Sequence, residues 1–370
     1  MRIGLVGFGF MGRTHAWCLD NLKYFYGALP FTAEIAGVAT SRPETARAAA
    51  ALLGTSAATE EELIADPEVD IIDICTPNIY HYKTLLRAIE AGKHIYCEKP
   101  LCVTPEEAAE VAALAKARGI TAQVVFNNRY LPAVMRAREL IAEGRLGRIL
   151  SFRVDYLHAS ATDPARAAGW KQDREICGAG TLFDLGSHAV DLATVLAGRI
   201  ASVKATSQIA YPERLGRDGK VWRTNADEAF YLIATTEGGA VGTVSVSKLH
   251  VGTNDELSFS VHGERGALSF SLMQPNYLEF FDATVPEGAL GGERGYRRIE
   301  CCGRYPAPGG IFPSPKAPIG WLRGHLHSMY SFLCAVHEKR AASPDFDDAA
   351  EVQRVLGLAL RDDETNGGTR

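Results

Sequence analysis

The start of the chain carries a glycine pattern that few folds accommodate. Arg2–Val6 is an apolar run of strand type, and a helix-like segment begins near Arg13. Between them stands a G-x-G-x-x-G sequence made of Gly7, Phe8, Gly9, Phe10, Met11 and Gly12. In a strand–turn–helix unit the first glycine permits the tight turn, the second lets the main chain approach a pyrophosphate, and the third lets helix and strand pack closely. The stretch therefore predicts a dinucleotide site, with the free N–H groups of the helix start facing the phosphates.

Length and composition limit the classes of protein to which the chain can belong. Its 370 residues predict two domains, and the hydrophobic fraction of 46% with 22% charged residues is typical of a soluble globular protein. A net charge of −5 disfavours a nucleic-acid surface. No apolar run reaches the ~18 residues of a membrane span. The eight cysteines are scattered without paired C-x-x-C spacing, so we expect no metal site, no disulfide framework and a cytoplasmic location.

The pattern of strands and helices changes near residue 127. Residues 1–126 alternate short apolar runs with helical segments, which predicts a doubly wound Rossmann domain. In residues 127–370 a linking helix is followed by long β-type runs and tight glycine turns. This texture predicts an α+β domain with a large, open, mainly antiparallel sheet for substrate binding and oligomerisation. One face of such a sheet packs on helices and the other is commonly covered by a second subunit, so we expect a homodimer or homotetramer.

Three segments need a separate interpretation. The stretch from Asp20 to Thr32 is longer than a minimal crossover and predicts either a lid or subunit contact, or a packed surface loop. His325 and His327 lie two residues apart on different sides of a helix, and we interpret them as structural or surface residues. Residues 288–318 are rich in Gly and Pro and predict an extended loop.

The end of the second predicted strand bears on the choice of dinucleotide. In a Rossmann domain an acidic residue there binds both ribose hydroxyls and repels a 2′-phosphate. This chain has Thr40, Ser41 and Arg42 instead, with no carboxylate before Glu44. A hydroxyl beside a guanidinium suits a 2′-phosphate, because arginine can make a bidentate contact to it. The three residues favour NADP, although stacking of Arg42 on the adenine would be compatible with NAD.

Further motifs follow the predicted strands in order. They are Thr76-Pro77-Asn78 with His81, then Glu98-Lys99-Pro100, then Asn127-Asn128-Arg129-Tyr130. With the glycine motif, this series resembles the glucose–fructose oxidoreductase/inositol dehydrogenase/rhizopine catabolism (Gfo/Idh/MocA) family over nearly the whole chain. The resemblance implies the same two-domain fold and a cis Lys99–Pro100 bond that directs the lysine into the site. Because ligands of doubly wound sheets bind beyond the carboxyl ends of the strands, the predicted cofactor contacts outside the glycine motif are Thr40, Ser41, Arg42, Thr76, Pro77, Asn78, His81, Glu98, Lys99 and Asn128.

A second chemical motif lies in the stretch from Gly178 to Asp191. Asp184, His188 and Asp191 stand at i, i+4 and i+7, so a helix would place them on one face. Two carboxylates beside an imidazole hold its tautomer and raise its pKa from ~6.5, which suits proton exchange with an alcohol oxygen. The resemblance implies that Asp184 and His188 form the acid/base pair. A histidine near acids is otherwise a common structural hydrogen-bond partner.

Together these residues predict hydride transfer between NAD(P) and a secondary alcohol, ketone or anomeric carbon of a sugar, sugar derivative or cyclic polyol. Lys99 would hydrogen-bond the reacting oxygen, and His188 would exchange its proton while Asp184 orients the ring. The candidates for binding the remaining substrate hydroxyls are Arg129, His158, Trp170, Arg174 and Asp191. Each of these five side chains could instead be ordinary packing or solvated surface.

Two other functions fit the same motifs. Some relatives that this chain resembles oxidise a sugar transiently and cleave a glycosidic bond, so that tightly retained NAD undergoes no net turnover. The alternative from another class is a non-catalytic regulator that binds a dinucleotide and controls a partner. Lys99, Asp184 and His188 disfavour the regulator, since a sensor has no need of a proton relay.

Overall fold

The computed structural model describes residues 1–216 and 218–367, which divide into two compact units. The first unit contains residues 1–127, 305–314 and 320–353, and the second contains residues 128–304, 315–319 and the C-terminal segment from 354. Residues 305–314 and 320–353, which the sequence places with the second domain, thus pack with the first unit.

The elements of the described ranges are named in chain order. The helices are α1 (Phe10–Tyr26), α2 (Pro43–Leu53), α3 (Glu60–Ala65), α4 (His81–Glu90), α5 (Pro105–Arg118), α6 (Pro132–Ala142), α7 (Arg174–Cys177), α8 (Ser187–Ala197), α9 (Trp321–His337) and α10 (Phe346–Thr365). The strands are β1 (Arg2–Val6), β2 (Glu34–Ala39), β3 (Ser56–Ala57), β4 (Ile71–Ile74), β5 (His94–Cys97), β6 (Ala122–Val124), β7 (Ile149–Leu157), β8 (Ile200–Gln208), β9 (Glu213–Leu215), β10 (Val221–Arg223), β11 (Ala229–Thr236), β12 (Val241–Ser247), β13 (Glu256–Gly263), β14 (Gly266–Ser271), β15 (Tyr277–Asp282) and β16 (Tyr296–Glu300).

The first unit is built on a parallel sheet with the order β3-β2-β1-β4-β5-β6 in the part of the chain described. Its central strands are buried and, except for Asp73 of β4, mainly apolar on both faces, as is usual for parallel strands covered by helices. The strand order reverses direction beside β1, and this switch point is where doubly wound sheets bind their ligands. The predicted Rossmann domain is confirmed. Of the six strands that the described residues contribute to this sheet, the two-residue edge strand β3 is the one that the sequence analysis did not predict.

Local signals in the sequence account for several helix ends of this unit. Thr59 caps α3, and its hydroxyl accepts the Glu62 N–H while the Glu62 carboxylate accepts the Thr59 N–H. This is the capping box that the spacing predicts. Thr104 caps α5 through a hydroxyl that accepts the Glu107 N–H, and Gly119 ends that helix with a φ of 70°.

The segment from Asp20 to Thr32 packs against the first unit. Its first part belongs to α1, which continues to Tyr26, and is therefore helix rather than loop. Leu29 and Phe31 lie against an apolar cluster that contains Leu22 and Tyr26. Of the two interpretations, the packed segment matches the structure, because these side chains are held in that cluster.

Helix α9 completes the core of the first unit. Its Met329, Phe332 and Leu333 pack in one buried cluster with Leu22 of α1 and Tyr96 of β5. His325 and His327 on this helix are buried, so the surface alternative for them is wrong. Burial lowers the pKa of both imidazoles to about 3.

The second unit contains a mixed sheet with the order β16-β15-β14-β13-β7-β12-β11-β8 in the described residues. The β7–β12 pair is parallel and the other neighbours are antiparallel, which confirms the predicted sheet. Helices α6 and α8 pack on one face. The predicted loop over residues 288–318 is partly wrong, because β16 lies inside it and pairs with β15 through Arg298 and Glu279.

The opposite face of this sheet carries a cross-strand row of mostly polar side chains. The row, in sheet order, is Lys204, Ile233, Thr243, Arg153, Ser260, Ser269, Glu279 and Arg298. Isolated apolar side chains on this unit's surface include Ile233 and Val241, which are 57% and 49% exposed.

In the described part of the chain, no helix combines the length and the apolar character that crossing a membrane requires.

Candidate active site

The glycine motif adopts the geometry that phosphate binding needs. Gly7 has a φ of 99°, and a Cβ there would lie 2.6 Å from the carbonyl oxygen of Cys75. A Cβ on Gly12 would lie 2.2 Å from the Gly7 oxygen, so this glycine keeps α1 close to β1. The Cβ position of Gly9 meets no described atom within 4 Å. The loop therefore leaves open space in front of the N-terminus of α1, where a pyrophosphate fits.

The residues after β2 form a short polar turn before α2. The hydroxyls of Thr40 and Thr45 lie 2.5 Å apart, and both donate to the Arg42 carbonyl oxygen or to each other. Arg42 is exposed and lies 3.3 Å from the Glu44 carboxylate. Such an exposed pair costs little to separate, so the guanidinium can turn towards a ligand. The preference for NADP from these residues stays a prediction.

The loops that follow β4 and β5 are braced by His81. Its Nε2 lies 2.9 Å from the carbonyl oxygen of Thr76, and its Nδ1 lies 3.0 Å from that of Pro100. Burial lowers the pKa of this imidazole, so the ring is neutral near pH 7. His81 thus links the two loops predicted to border the cofactor. The Lys99–Pro100 bond is cis, as the family resemblance implies.

A buried ionic cluster, not anticipated from the sequence, lies behind these loops. His15 Nδ1 lies 2.9 Å from Asp73 of β4, and its Nε2 lies 3.2 Å from the Glu98 carboxylate. All three side chains are at most 7% exposed. The signal that could have predicted it is Asp73 itself, because a carboxylate inside an apolar strand requires a partner.

Within the Gly178–Asp191 stretch the chain is helical from Leu182 onwards, but it does not form one regular α-helix. Residues Leu182–Gly186 form a π-helical turn, which leads directly into α8. The sequence analysis predicted a helix here but not the π turn, which closes its hydrogen bonds one residue later than an α turn. Single π turns inside helices occur frequently at functional sites.

Asp184 lies between two ammonium groups. Its carboxylate is 2.9 Å from Lys171 Nζ and 2.8 Å from Lys248 Nζ. The sequence prediction described Asp184 only as a partner of His188 and did not include Lys248. Lys248 follows the end of β12, a position that the strand pattern could have indicated. Two adjacent cations favour the ionised form of this carboxylate.

Asp191 and Arg129, both predicted to bind substrate, are paired with each other. Arg129 Nε donates to both carboxylate oxygens of Asp191 at 2.9 and 3.0 Å. Both side chains are buried, at 4% and 1% exposure. Removing one partner of a buried pair leaves an uncompensated charge. Their substrate role stays a prediction beside this structural one.

Tyr156, His158 and Asp255 form an aromatic and polar group beside His188 in the second unit. The Tyr156 and His188 rings meet in a T-shaped contact, with ring centres 5.9 Å apart. Burial, and then the Asp255 charge, raise the pKa of Tyr156. His158 Nε2 lies 2.9 Å from Asp255. These contacts bring His158 into the same neighbourhood as His188.

Trp170 and Arg174 are more exposed than the other candidates. Lys171 Nζ lies 5.6 Å from the centre of a Trp170 ring that is 37% exposed. Arg174 Nη2 donates to Glu364 at 2.6 Å, on a pair that is about two-fifths exposed. Asn128 is buried in the short turn that precedes α6. The cofactor and substrate roles of these residues stay predictions.

Two sequence profiles match the chain. Residues 1–126 match the oxidoreductase family with an NAD-binding Rossmann fold, and residues 134–269 match the GFO/IDH/MocA C-terminal domain. The levoglucosan dehydrogenase of Pseudarthrobacter phenanthrenivorans is 32% identical in an alignment that covers 96% of this chain and 94% of that protein. The chain belongs to the Gfo/Idh/MocA family.

Solved structures agree with membership of the Gfo/Idh/MocA family. A levoglucosan dehydrogenase in complex with NADH and levoglucosan superimposes with a TM-score of 0.93 and 31% identity, covering 99% of this chain and 97% of the other. A scyllo-inositol 2-dehydrogenase (NADP(+)) of Bacillus subtilis is 27% identical over 71% of this chain and 67% of its own. The predicted fold class and family are confirmed, and the chain is an NAD(P)-dependent oxidoreductase.

Within this Gfo/Idh/MocA chain, Asp227 anchors the start of the π turn. Its carboxylate accepts the Leu182 N–H at 2.8 Å, and its carbonyl oxygen accepts the Thr181 N–H at 2.9 Å. A Cβ on Gly180 would lie 2.0 Å from that carbonyl oxygen, so the two segments are in direct contact. Burial raises the pKa of Asp227 from 3.8 to about 6.

We expect the difference in the free energy of unfolding between the wild type and Asp227→Asn, here called the stability gap, to depend on pH. Between about pH 4 and 6 the native protein holds a proton on Asp227 that the unfolded chain has lost, so wild-type stability falls relative to the variant as pH rises. Because Asp227 keeps some exposed surface, the expected change in that gap is about 1–3 kcal/mol. Urea unfolding on both sides of this window measures it. Asp20→Asn, at an exposed position, is the control for the substitution itself, and a gap that does not change with pH for Asp227→Asn would contradict the prediction.

Proposed function

We propose that this chain oxidises a secondary hydroxyl of a sugar or cyclic polyol with NAD(P), and that levoglucosan is the first candidate substrate. The observation that carries the proposal is the full-length likeness to a levoglucosan dehydrogenase whose structure holds NADH and levoglucosan. The presence of Lys99, Asp184 and His188 in this sequence supports the same reaction class. The relatives act on different sugars, so the exact substrate needs experiment.

The first unit supplies the residues that would hold the cofactor. The Gly7–Gly12 loop and the N-terminus of α1 would receive the pyrophosphate, which fits the open space in front of Gly9. Thr40, Ser41 and Arg42 would meet the adenosine ribose. The loops braced by His81 would border the nicotinamide half. Bound nicotinamide supplies hydride transfer, and the chain fixes the geometry.

The protein's own groups would manage the substrate oxygen and its proton. Lys99 Nζ would donate a hydrogen bond to the reacting oxygen and stabilise negative charge as it develops there. His188 would take the hydroxyl proton during oxidation and return it during reduction. Asp184 would orient the imidazole, while Lys171 and Lys248 hold the Asp184 carboxylate in place.

The test is a substrate panel followed through the absorbance of the reduced nicotinamide. Levoglucosan, xylose, myo-inositol, scyllo-inositol and glucose 6-phosphate would each be supplied with NAD and with NADP. We expect net reduction of one dinucleotide by at least one unphosphorylated sugar or polyol. The same panel with His188→Ala is the control for contaminating dehydrogenases.

Two outcomes would contradict the proposal. Cleavage of an aryl glycoside without net cofactor turnover would identify the redox-neutral glycosidase reaction instead. Dinucleotide binding without turnover of any panel member would favour the regulator.

We propose that a second copy of the chain covers the polar row on the open sheet face of the second unit. Ile233 and Val241 are exposed on that unit and support such an interface. The free face of an open sheet is commonly covered by a second subunit. We expect a particle mass at a multiple of 40.0 kDa by light scattering. A monomer mass at micromolar concentration would contradict this.

A cytoplasmic location also remains a proposal, supported by the eight free cysteines within the described ranges.

A further inference from the structure

His15 connects two strands of the first unit through a pair of buried carboxylates. Its Nδ1 lies 2.9 and 3.1 Å from the two oxygens of Asp73, and its Nε2 lies 3.2 Å from Glu98 Oε1. His15 is 1% exposed, and it stands on α1 one turn after Gly12. One side chain therefore joins the glycine-motif helix to the carboxyl ends of β4 and β5.

The second oxygen of Glu98 continues this connection to Lys99. Glu98 Oε2 accepts the backbone N–H of Lys99 at 3.2 Å. A continuous path of hydrogen bonds thus runs from Asp73 through His15 and Glu98 to the main chain of Lys99. A carboxylate held at both oxygens has little freedom to rotate, and the backbone that it grips shares this restriction.

We propose that His15 is a positioning residue for Lys99, which holds the Glu98 carboxylate so that Glu98 fixes the main chain from which the lysine projects. The proposal rests on the proposed function of Lys99. Catalytic geometry tolerates little displacement, because a distant mutation that misplaces the reacting groups by about 1 Å can cost about 10²-fold in rate.

The charges around His15 are consistent with a protonated ring. Burial alone lowers the pKa of His15, but the Asp73 charge and the contact with Cys75 outweigh it and raise the pKa. Burial likewise raises the pKa of Glu98, and the hydrogen bond and charge of His15 bring it below its usual value. The ionisable groups that face His15 are Asp73, Cys75, Tyr96, Glu98, Cys18 and His325. A protonated imidazole donates from both nitrogens, as the two carboxylates require.

His325 gives this cluster a competing interpretation. It is buried, and in the described residues neither of its ring nitrogens has a hydrogen-bond partner. With His15 and Glu98 it offers three metal-ligating atoms within 4.8 Å of one another. We favour the hydrogen-bonded arrangement because both nitrogens of His15 already lie against carboxylates. A metal ion held by these three residues would require His15 Nε2 to lose its proton and its hydrogen bond to Glu98.

The experiment compares His15→Gln, Glu98→Gln, the double variant and a matched control. The control is His94→Gln, which changes a histidine at the other end of β5 whose Nδ1 accepts the Thr121 N–H. Each protein is characterised by Tm, the Kd for NADH, and kcat and KM for the sugar identified by the panel. The pH profile of kcat/KM is also recorded, since a purely structural role would leave it in place.

We expect His15→Gln to lower kcat by about tenfold to a hundredfold with an unchanged KM. One limb of the kcat/KM pH profile should report loss of the proton from Lys99. Loss of the positive His15 ring should move that limb to higher pH by about half a unit or more, because removing a cation favours the nearby ammonium form. The double variant should lose no more than the worse single variant. His94→Gln should retain the wild-type rate and pH profile.

Four results would overturn the proposal. The first is normal turnover in His15→Gln while Lys99→Ala is inactive. The second is multiplicative losses in the double variant, and the third is a stoichiometric divalent metal in the purified protein. The fourth concerns Asp73→Asn, which serves if His15→Gln fails to fold: an unchanged rate and pH profile in that variant counts against positioning. Normal turnover in Lys99→Ala would instead refute the proposed function itself.

Discussion

Replacing Lys99 with alanine is expected to lower kcat by about 10²–10⁴, and His188→Ala is expected to do the same. Lys99 follows a strand end of the nucleotide-binding sheet, and its main chain is held by Glu98. A group held at this position can meet developing charge without reorganising, which is the condition for effective electrostatic stabilisation. Because the lost interaction belongs to the transition state, kcat and kcat/KM should fall together.

The measurement uses steady-state reduction of NAD or NADP with the preferred sugar. The exposed ion pair between Lys116 and Asp347 offers a matched control, since Lys116→Ala also removes one ammonium group from the first unit. We expect that control to retain wild-type turnover. Near-normal kcat in both Lys99→Ala and His188→Ala would show that neither group handles the substrate oxygen.

Two substitutions in the glycine motif should have separate effects, one on the stability of the fold and the other on cofactor binding. Gly12→Ala is expected to destabilise the first unit by about 3 kcal/mol or more, since its Cβ would lie 2.2 Å from the Gly7 oxygen. Gly9→Ala should leave the free energy of unfolding within about 0.5 kcal/mol, because its φ of −81° suits alanine and no described atom lies within 4 Å. The added methyl group occupies the open space instead, so the Kd for NADH should rise about tenfold to a hundredfold.

Urea unfolding and NADH fluorescence titration measure the two effects separately. A substitution at Gly54 after α2 is the control, because its φ of 66° and ψ of 31° lie in the left-handed region that asparagine tolerates and Gly54 lies outside the motif. Tight NADH binding by Gly9→Ala would mean that the pyrophosphate does not approach this loop. Wild-type stability of Gly12→Ala would contradict the steric argument.

The sequence was most informative where a residue type has one mechanical task. Gly7 and Gly12 are required by contacts that admit no Cβ, so their spacing alone predicts the turn. The Thr59–Glu62 capping box is equally local. Long apolar strands such as β11 and β12 alternate buried and exposed residues and were predicted for the same reason.

Features that depend on distant pairing could not be predicted in this way. The charged strand β16 is stabilised by pairing with β15, and its own sequence, with Arg297 and Arg298, gives a weak strand signal. Asp184 was assigned to His188 because both lie in one motif, whereas Lys248 reaches it from the end of another strand. The π turn was missed because the spacing of residues does not distinguish it from an α turn.

The packing of α9 has a consequence for synthesis and for engineering. A nascent chain that has emerged only as far as residue 127 still lacks Met329, Phe332 and Leu333, so the apolar surface around Leu22 and Tyr96 has no cover. The nucleotide-binding unit therefore becomes whole only after the ribosome has translated the large sheet. A protein made of residues 1–127 alone would expose this apolar surface to solvent. An engineered version of the unit therefore also needs residues 320–353.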